Sequence, residues 1–493
     1  MPFGGLGNVN LVDVCIFRGR ERITMDQRAG EASPVQSESS DLSQMRDDKC
    51  HQAARKYSNH HRVQQLHKKM AQRYTFLIHT FYATGHVLPM QAVAKALVDR
   101  GHKVVWMTHA DQESRVLASG AEFLPTREIA AVDARLRDVN APQPTTMDET
   151  VEFLFGGRVT AQVADLRMAL AHAKSLLGAG GASSGSVDCL LHDALPHGAA
   201  AIHELGEVSW WATLGVVPMW TTEEAARTTL GTILSKPEIF LPCLNRQRVE
   251  LGLKALGPSD TLHYSPLLHI QASCPDLEYG RTMPNTYFVG PLVTEKRSSA
   301  KGSKEAPTWW ADVVEHPCVI GITQGTFAVD PTTLLIPAIE ALCDDDSLLL
   351  VVPSMHATSI RAGLVERGLD LRNVRLAEWV PYDLLLPKCQ ILITNGGYGS
   401  VTQSLSHGVP LICAGTSEDK RDTAARMVSV GAGVDLGTDT PSSAQIKAAV
   451  KDVLTDEKYR DNARRVGKDL NGLGGAQRAC ELLEEFIGRN KTA

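Results

Sequence analysis

A short branched apolar run, Ile391-Leu392-Ile393, passes straight into Thr394-Asn395-Gly396-Gly397-Tyr398-Gly399-Ser400, and a helical apolar spacing (Val401, Leu405) follows as far as His407-Gly408. The run reads as a buried parallel strand and the spacing after it as a helix. A strand that turns through glycines into a helix aims backbone N–H groups and the positive end of the helix dipole at one point. That point suits a phosphate or diphosphate: glycines let the backbone come close to an anion, and Asn395 and Ser400 can add side-chain hydrogen bonds. Parallel strands cannot be joined by tight turns, so one such unit commits its neighbours to strand–helix alternation.

The alternation is present twice. Tyr74 to His79 reads as a buried strand, the turn Ala83 to His86 leads to a helix from about Leu88 to Asp99, Gly101 stops it, and Lys103 to Met107 is the next strand. A long amphipathic stretch, Met147 to Leu177, precedes a Gly/Ser loop at 178–186 and a strand Asp188 to His192, with Asp193 at its carboxyl end. A helix to Leu205 and a strand Val208 to Thr213 continue the pattern. Thr221 to Asp260 reads as helical and is expected to wall an acceptor pocket with 127–180; strands near 267–271 and 287–289 close the first half at Gly290-Pro291. Residues 295–307 (EKRSSAKGSKEAP) have the composition of a linker. Strand and helix then alternate again: Cys318 to Ile322, Leu334 to Leu342, Leu348 to Val352 and the glycine stretch itself. The expectation is an α/β chain of two doubly wound halves, 73–294 and 308–475, with an amphipathic helix in 476–493 packing back on the first.

Residues 1–72 break this pattern. Arg18 to Lys69 is rich in charge, Ser, Gln and His with little periodic apolar content, so it reads as a disordered, non-core extension. His51, His60, His61 and His67 within it read as a solvated polar tail rather than a metal site. A formal charge of −6 gives no footprint for nucleic acid, no apolar run reaches membrane-span length, and the ten cysteines lack Cys-x-x-Cys spacing. Asn8, Asn10 and Asp13 interrupt any leader-like core, so the expectation is a cytoplasmic protein with reduced thiols, a monomer or weak dimer.

The flanks of the glycine turn carry a resemblance. Trp379-Val380-Pro381 precedes it, Gly408-Val409-Pro410 follows, and Glu418-Asp419-Lys420 comes next. W-x-P, N-G-G-x-G-S, G-V-P and E-D-K in this order resemble the donor-binding signature of family-one UDP-sugar glycosyltransferases, densely over about forty residues and more weakly over the chain after the first seventy. The similarity is to the fungal and bacterial branch that glycosylates small natural products. The pattern departs where the family usually has Gln (Tyr382), His (Asn395) and Glu (Gln403), and often Gln (Lys420); at Gln403 an amide stands where a carboxylate would accept from ribose.

The resemblance implies a GT-B fold, with a UDP-sugar, by family default UDP-glucose, as co-substrate, no tightly bound cofactor and no metal. It implies inverting transfer to a hydroxyl of a small hydrophobic acceptor such as a phenol or polyketide. Gly85-His86-Val87-x-Pro89 is similar to the family segment carrying the catalytic base, and Asp193 to the carboxylate that orients it; capping the next helix is the alternative use of Asp193. An imidazole, whose ordinary pKa is near 6.5, suits the removal of a hydroxyl proton. By the same resemblance Trp379 stacks on uracil, Val380 offers backbone contacts and Gln403 meets ribose. Asn395, Gly397, Ser400 and Thr326 (in Thr323-Gln324-Gly325-Thr326) hold the diphosphate, with Asp419 and Lys420 at the sugar. Asp344-Asp345-Asp346 reads as a solvated turn. The rivals are a dinucleotide oxidoreductase, which would need a G-x-G-x-x-G after the first strand, a non-catalytic UDP-sugar binder, and a sterol or lipid glucosyltransferase.

Overall fold

The computed structural model of the protein describes residues 73–138, 140–142, 144–178, 186–193, 197–220, 227–258, 260, 264–293, 307–325 and 330–491. The 1–72 extension, Thr326 and all but the last residue of the 295–307 stretch lie outside the described residues.

Seven parallel strands make the first sheet: β1 (Thr75–His79), β2 (Lys103–Thr108), β3 (Glu122–Pro125), β4 (Cys189–Asp193), β5 (Trp211–Gly215), β6 (His269–Gln271) and β7 (Thr286–Phe288), in the order β3-β2-β1-β4-β5-β6-β7. Six parallel strands make the second: β8 (Val319–Thr323), β9 (Leu349–Pro353), β10 (Val374–Ala377), β11 (Cys389–Thr394), β12 (Leu411–Cys413) and β13 (Gly433–Asp435), in the order β10-β9-β8-β11-β12-β13. Both faces of each sheet are covered, so the strands carry unbroken apolar runs rather than alternation. In β1, Phe76 and Ile78 pack with Val93 and Leu97 on one face while Leu77 packs with Val163 and Leu166 on the other. In β11, Ile391 and Ile393 face one way and Leu392 the other.

Two expectations need correction. The stretch 147–177 is two helices, Met147–Phe155 and Arg158–Gly178, because the chain breaks at Gly156-Gly157, where Gly157 takes φ +71°. The helix after β1 begins at Thr84 and carries Pro89 inside it, so His86 sits in its first turn rather than in a preceding loop. Apolar periodicity is silent over Thr84-Gly85-His86, which is why the pattern placed the start too late. Asp344, Asp345 and Asp346 are exposed turn residues before β9.

The helix Gly475–Lys491 places Ala479, Cys480, Leu483 and Ile487 in the apolar cluster of the first sheet, and Glu484 accepts from Arg100 at 2.7 Å and meets His102 at 2.8 Å. A buried polar network joins the halves. Glu278 of the first half accepts from Arg426 Nε at 2.9 Å and from the Tyr398 hydroxyl at 2.7 Å, and that hydroxyl accepts from Gln271 Nε2 at 2.6 Å. Asp422 accepts from Trp220 Nε1 at 2.9 Å and the Thr228 hydroxyl at 2.6 Å. Charges this deep hold only while each is partnered.

Candidate active site

Each sheet reverses its strand order at the centre, between β1 and β4 in the first and between β8 and β11 in the second. Helices leave such a pair in opposite directions and open a crevice at the carboxyl ends of the strands, where ligands bind in open α/β sheets. The sequence candidates described here follow these four strands or lie on the loops beside them.

In the first half, His86 follows β1 and Asp193 ends β4. Their side chains meet, His86 Nδ1 to Asp193 Oδ2 at 2.9 Å, with the carboxylate wholly buried and the His86 ring 12% exposed. The Phe81 N–H donates to the same oxygen at 2.9 Å. Burial pushes the Asp193 carboxyl up, but the His86 ring and the Phe81 N–H outweigh it and hold the group below the ordinary carboxylate range. An ionised carboxylate taking the Nδ1–H leaves Nε2 as the proton acceptor. Asp193 does not cap the next helix, which starts at Gly198 behind His197.

Around this pair lies a row of buried imidazoles. His79, His192, Thr213 and His269 are register partners across β1, β4, β5 and β6. Burial pushes the three rings down to about 4, 4 and 3, so they are neutral near neutral pH. Aromatic rings step outward from His86: Phe81 at 5.3 Å from its ring, Tyr82 at 4.3 Å from Phe81, and His109 at 4.7 Å from Tyr82. His109 lines an open pocket of about 520 Å³ with Ala110, Asp111, Thr126, Ala130, Ala134, Arg137 and Asp138.

In the second half, Gly396 turns with φ +84°, and Gly397 precedes the helix Tyr398–Ser406 without a side-chain cap. The first-turn N–H groups therefore point ahead of the helix with its positive end. Asn395 is 6% exposed and its Oδ1 has no hydrogen-bond partner among the described residues. Gly325, with φ +75°, lies so close that a Cβ there would be 3.2 Å from the Asn395 amide nitrogen. Turn and helix start thus form one cradle beside the Asn395 amide. Trp379 is 51% exposed, and Val380 beside it is buried.

Three candidates sit differently from the simple expectation. The Ser400 hydroxyl lies 3.2 Å from the Tyr382 hydroxyl, so it is engaged rather than open. Gln403 donates its amide to Gly399 O at 3.0 Å, turning that end back on its own helix. Lys420 is buried with its ammonium on Glu418 and, at 2.9 Å, on the Ser417 hydroxyl; burial lowers its pKa to about 8. Asp419 is pushed up to about 6 by burial, against the pull of the His86 ring, which places the two in each other's field across the cleft. Sequence reasoning did not single out Tyr398, Glu278, Gln271 and Arg426. Of these only Tyr398 carried a signal, a bulky residue within a glycine turn.

Residues 367–475 match the family model described as erythromycin biosynthesis protein CIII-like, C-terminal domain. Over 440 residues the chain is 30% identical to the 4'-demethylrebeccamycin synthase of Lentzea aerocolonigenes, spanning 83% of this chain and 99% of that one. Over 436 residues it is 28% identical to UDP-glucosyltransferase A1 of Starmerella bombicola, spanning 82% and 89%. Among solved structures, the calicheamicin glycosyltransferase CalG4 shares the fold at TM-score 0.62 and 19% identity, over 85% of this chain and 99% of that one.

Proposed function

The chain belongs to the family-one UDP-sugar glycosyltransferases of natural-product type, with the GT-B fold, and from that premise we propose that it moves glucose from UDP-glucose, with inversion, to a hydroxyl of a small aromatic acceptor, phenolic or polyketide. What supports the reading most is the His86–Asp193 pair, 2.9 Å apart at the first switch point with Asp419 of the second half in the field of the His86 ring.

In this reading His86 Nε2 removes the acceptor proton as the hydroxyl oxygen attacks the anomeric carbon. The bond from that carbon to the β-phosphate oxygen breaks, its electron pair stays on UDP, and the imidazolium is stabilised by Asp193. Helix N–H groups, Asn395, Gly397 and hydroxyls of the cradle meet the diphosphate charge; Thr326 would join them. Trp379 stacks on uracil with Val380 backbone beside it, and Gln403 meets ribose. Asp419 accepts from the sugar hydroxyls. Lys420, already neutralised by Glu418, suits a neutral hexose. The choice of glucose follows the name of the Starmerella relative, a UDP-glucosyltransferase. The aromatic steps Phe81, Tyr82 and His109 from His86 toward the 520 Å³ pocket suit a flat acceptor.

The test is incubation with UDP-glucose and a panel of phenols, flavonoids, anthraquinones and sterols, read by product mass. A gain of one hexose that vanishes in His86→Ala, while the variant still binds UDP, is the expected outcome. A His86→Ala enzyme with near-normal turnover would sink the mechanism. UDP bound without turnover on any acceptor would favour the binding-only alternative.

A further inference from the structure

The Tyr382 hydroxyl stands at the meeting point of the two arms of the cradle. Its backbone opens the short helix Tyr382–Leu385 behind Pro381, and its ring packs on the apolar cluster under β8 and β11. The hydroxyl donates to Thr323 Oγ1 at 3.0 Å and lies 3.2 Å from Ser400 Oγ. Thr323 is the last residue of β8, and Ser400 lies in the first turn of the Tyr398–Ser406 helix. One phenol therefore touches both sides of the second switch point. Burial raises its pKa, with the Ser400 and Thr323 hydroxyls pulling the other way. Across the same crevice the buried Asn395 Oδ1 has no partner among the described residues, so the amide loses no bond of that oxygen when its NH2 turns toward a phosphate.

We infer that Tyr382 is a diphosphate-contacting residue: with the UDP-sugar seated, its O–H turns from Thr323 to a β-phosphate oxygen, while Ser400 is held toward the same phosphate. The inference rests on the donor site proposed above and deepens it. The phenol keeps its proton throughout. The electron pair released by the sugar–oxygen bond remains on the β-phosphate, and Tyr382 lowers the energy of that charge by donating to it. A side chain with this role contributes to the β-phosphate alone, since the nucleoside end of the ligand lies toward Trp379 in the same reading.

That gives a graded test. UDP, UMP and uridine are titrated calorimetrically into the wild type and Tyr382→Phe, which keeps the ring and its packing. A hydrogen bond to a charged group implies that the variant binds UDP about tenfold to a hundredfold more weakly, while UMP and uridine stay within about twofold. In steady state the same loss appears in kcat/KM for the UDP-sugar with the acceptor KM unchanged. Equal UDP affinity in the two proteins overturns the inference and leaves the donor site standing. Parallel losses for UDP, UMP and uridine also overturn it, because they mark a support of the fold rather than a phosphate contact. A wild type that binds none of the three sinks the donor site and the inference together.

Discussion

The two sheets share one strand order, apart from a seventh strand at the edge of the first, and in the proposed reaction their switch points do opposite jobs. In the first, His79 and His192 lie at the carboxyl ends of β1 and β4, His269 opens β6 in register with them through Thr213, and an imidazole and a buried carboxylate are locked together at 2.9 Å. In the second, the corresponding ends of β8, β11 and β12 carry Thr323, Thr394 and Cys413, and the crevice is finished with glycines, hydroxyls and backbone N–H groups. Moving a proton needs a titrating group whose charge is compensated on the spot, so burial and pairing come together. Holding a dianionic leaving group needs many donors already pointing at it, and here the chain supplies a helix start, with the nearby Lys420 already paired to Glu418. One topology therefore provides two crevices, and only the side chains at the strand ends decide which chemistry each performs.

The largest break in that contrast comes from neutralising the carboxylate. Asp193→Asn keeps the shape but removes the charge that fixes the His86 tautomer, so kcat is expected to fall on the order of a thousandfold with UDP affinity unchanged. Turnover within tenfold of wild type would mean that His86 works without the pair.

Acid sharpens the difference between the halves. The folded pKa values of His79, His192 and His269 lie at about 4, 4 and 3, below the ordinary imidazole value, so the unfolded chain binds the extra protons first. Stability is therefore full above about pH 6.5 and is lost as pH falls toward 4, by roughly 3 kcal/mol for each ring at the low end. Thermal midpoints measured from pH 8 to pH 4 should drop mainly inside that window. A flat profile would show that the rings find water or partners on protonation.

The smallest effect belongs to the second crevice. Trp379→Ala removes an exposed ring expected to stack on the base, which costs about 1–3 kcal/mol of UDP binding and leaves the melting temperature almost unchanged. Unchanged UDP affinity in this variant would move the base elsewhere along the cleft.

Much of this fold is legible in the sequence. Apolar runs such as Phe76 to Ile78 and Ile391 to Ile393 carry no alternation because both faces of a parallel strand are buried, so they announce the strands and the sheet class together. Gly396 is needed where the backbone turns with positive φ, and that local demand is visible in one dimension. His86 and Asp193 are separated by 107 positions, and their chemical partnership came from family resemblance rather than spacing. What remained hidden depended on distant chain segments meeting. Tyr382 beside Ser400, Gln403 folded back on Gly399, Lys420 paired with Glu418, and Glu278 bound to Arg426 and Tyr398 are choices among hydrogen-bond partners of similar strength. Local pattern records which groups can bond. Only packing, by excluding water from some of those bonds and leaving others open, selects the ones that form.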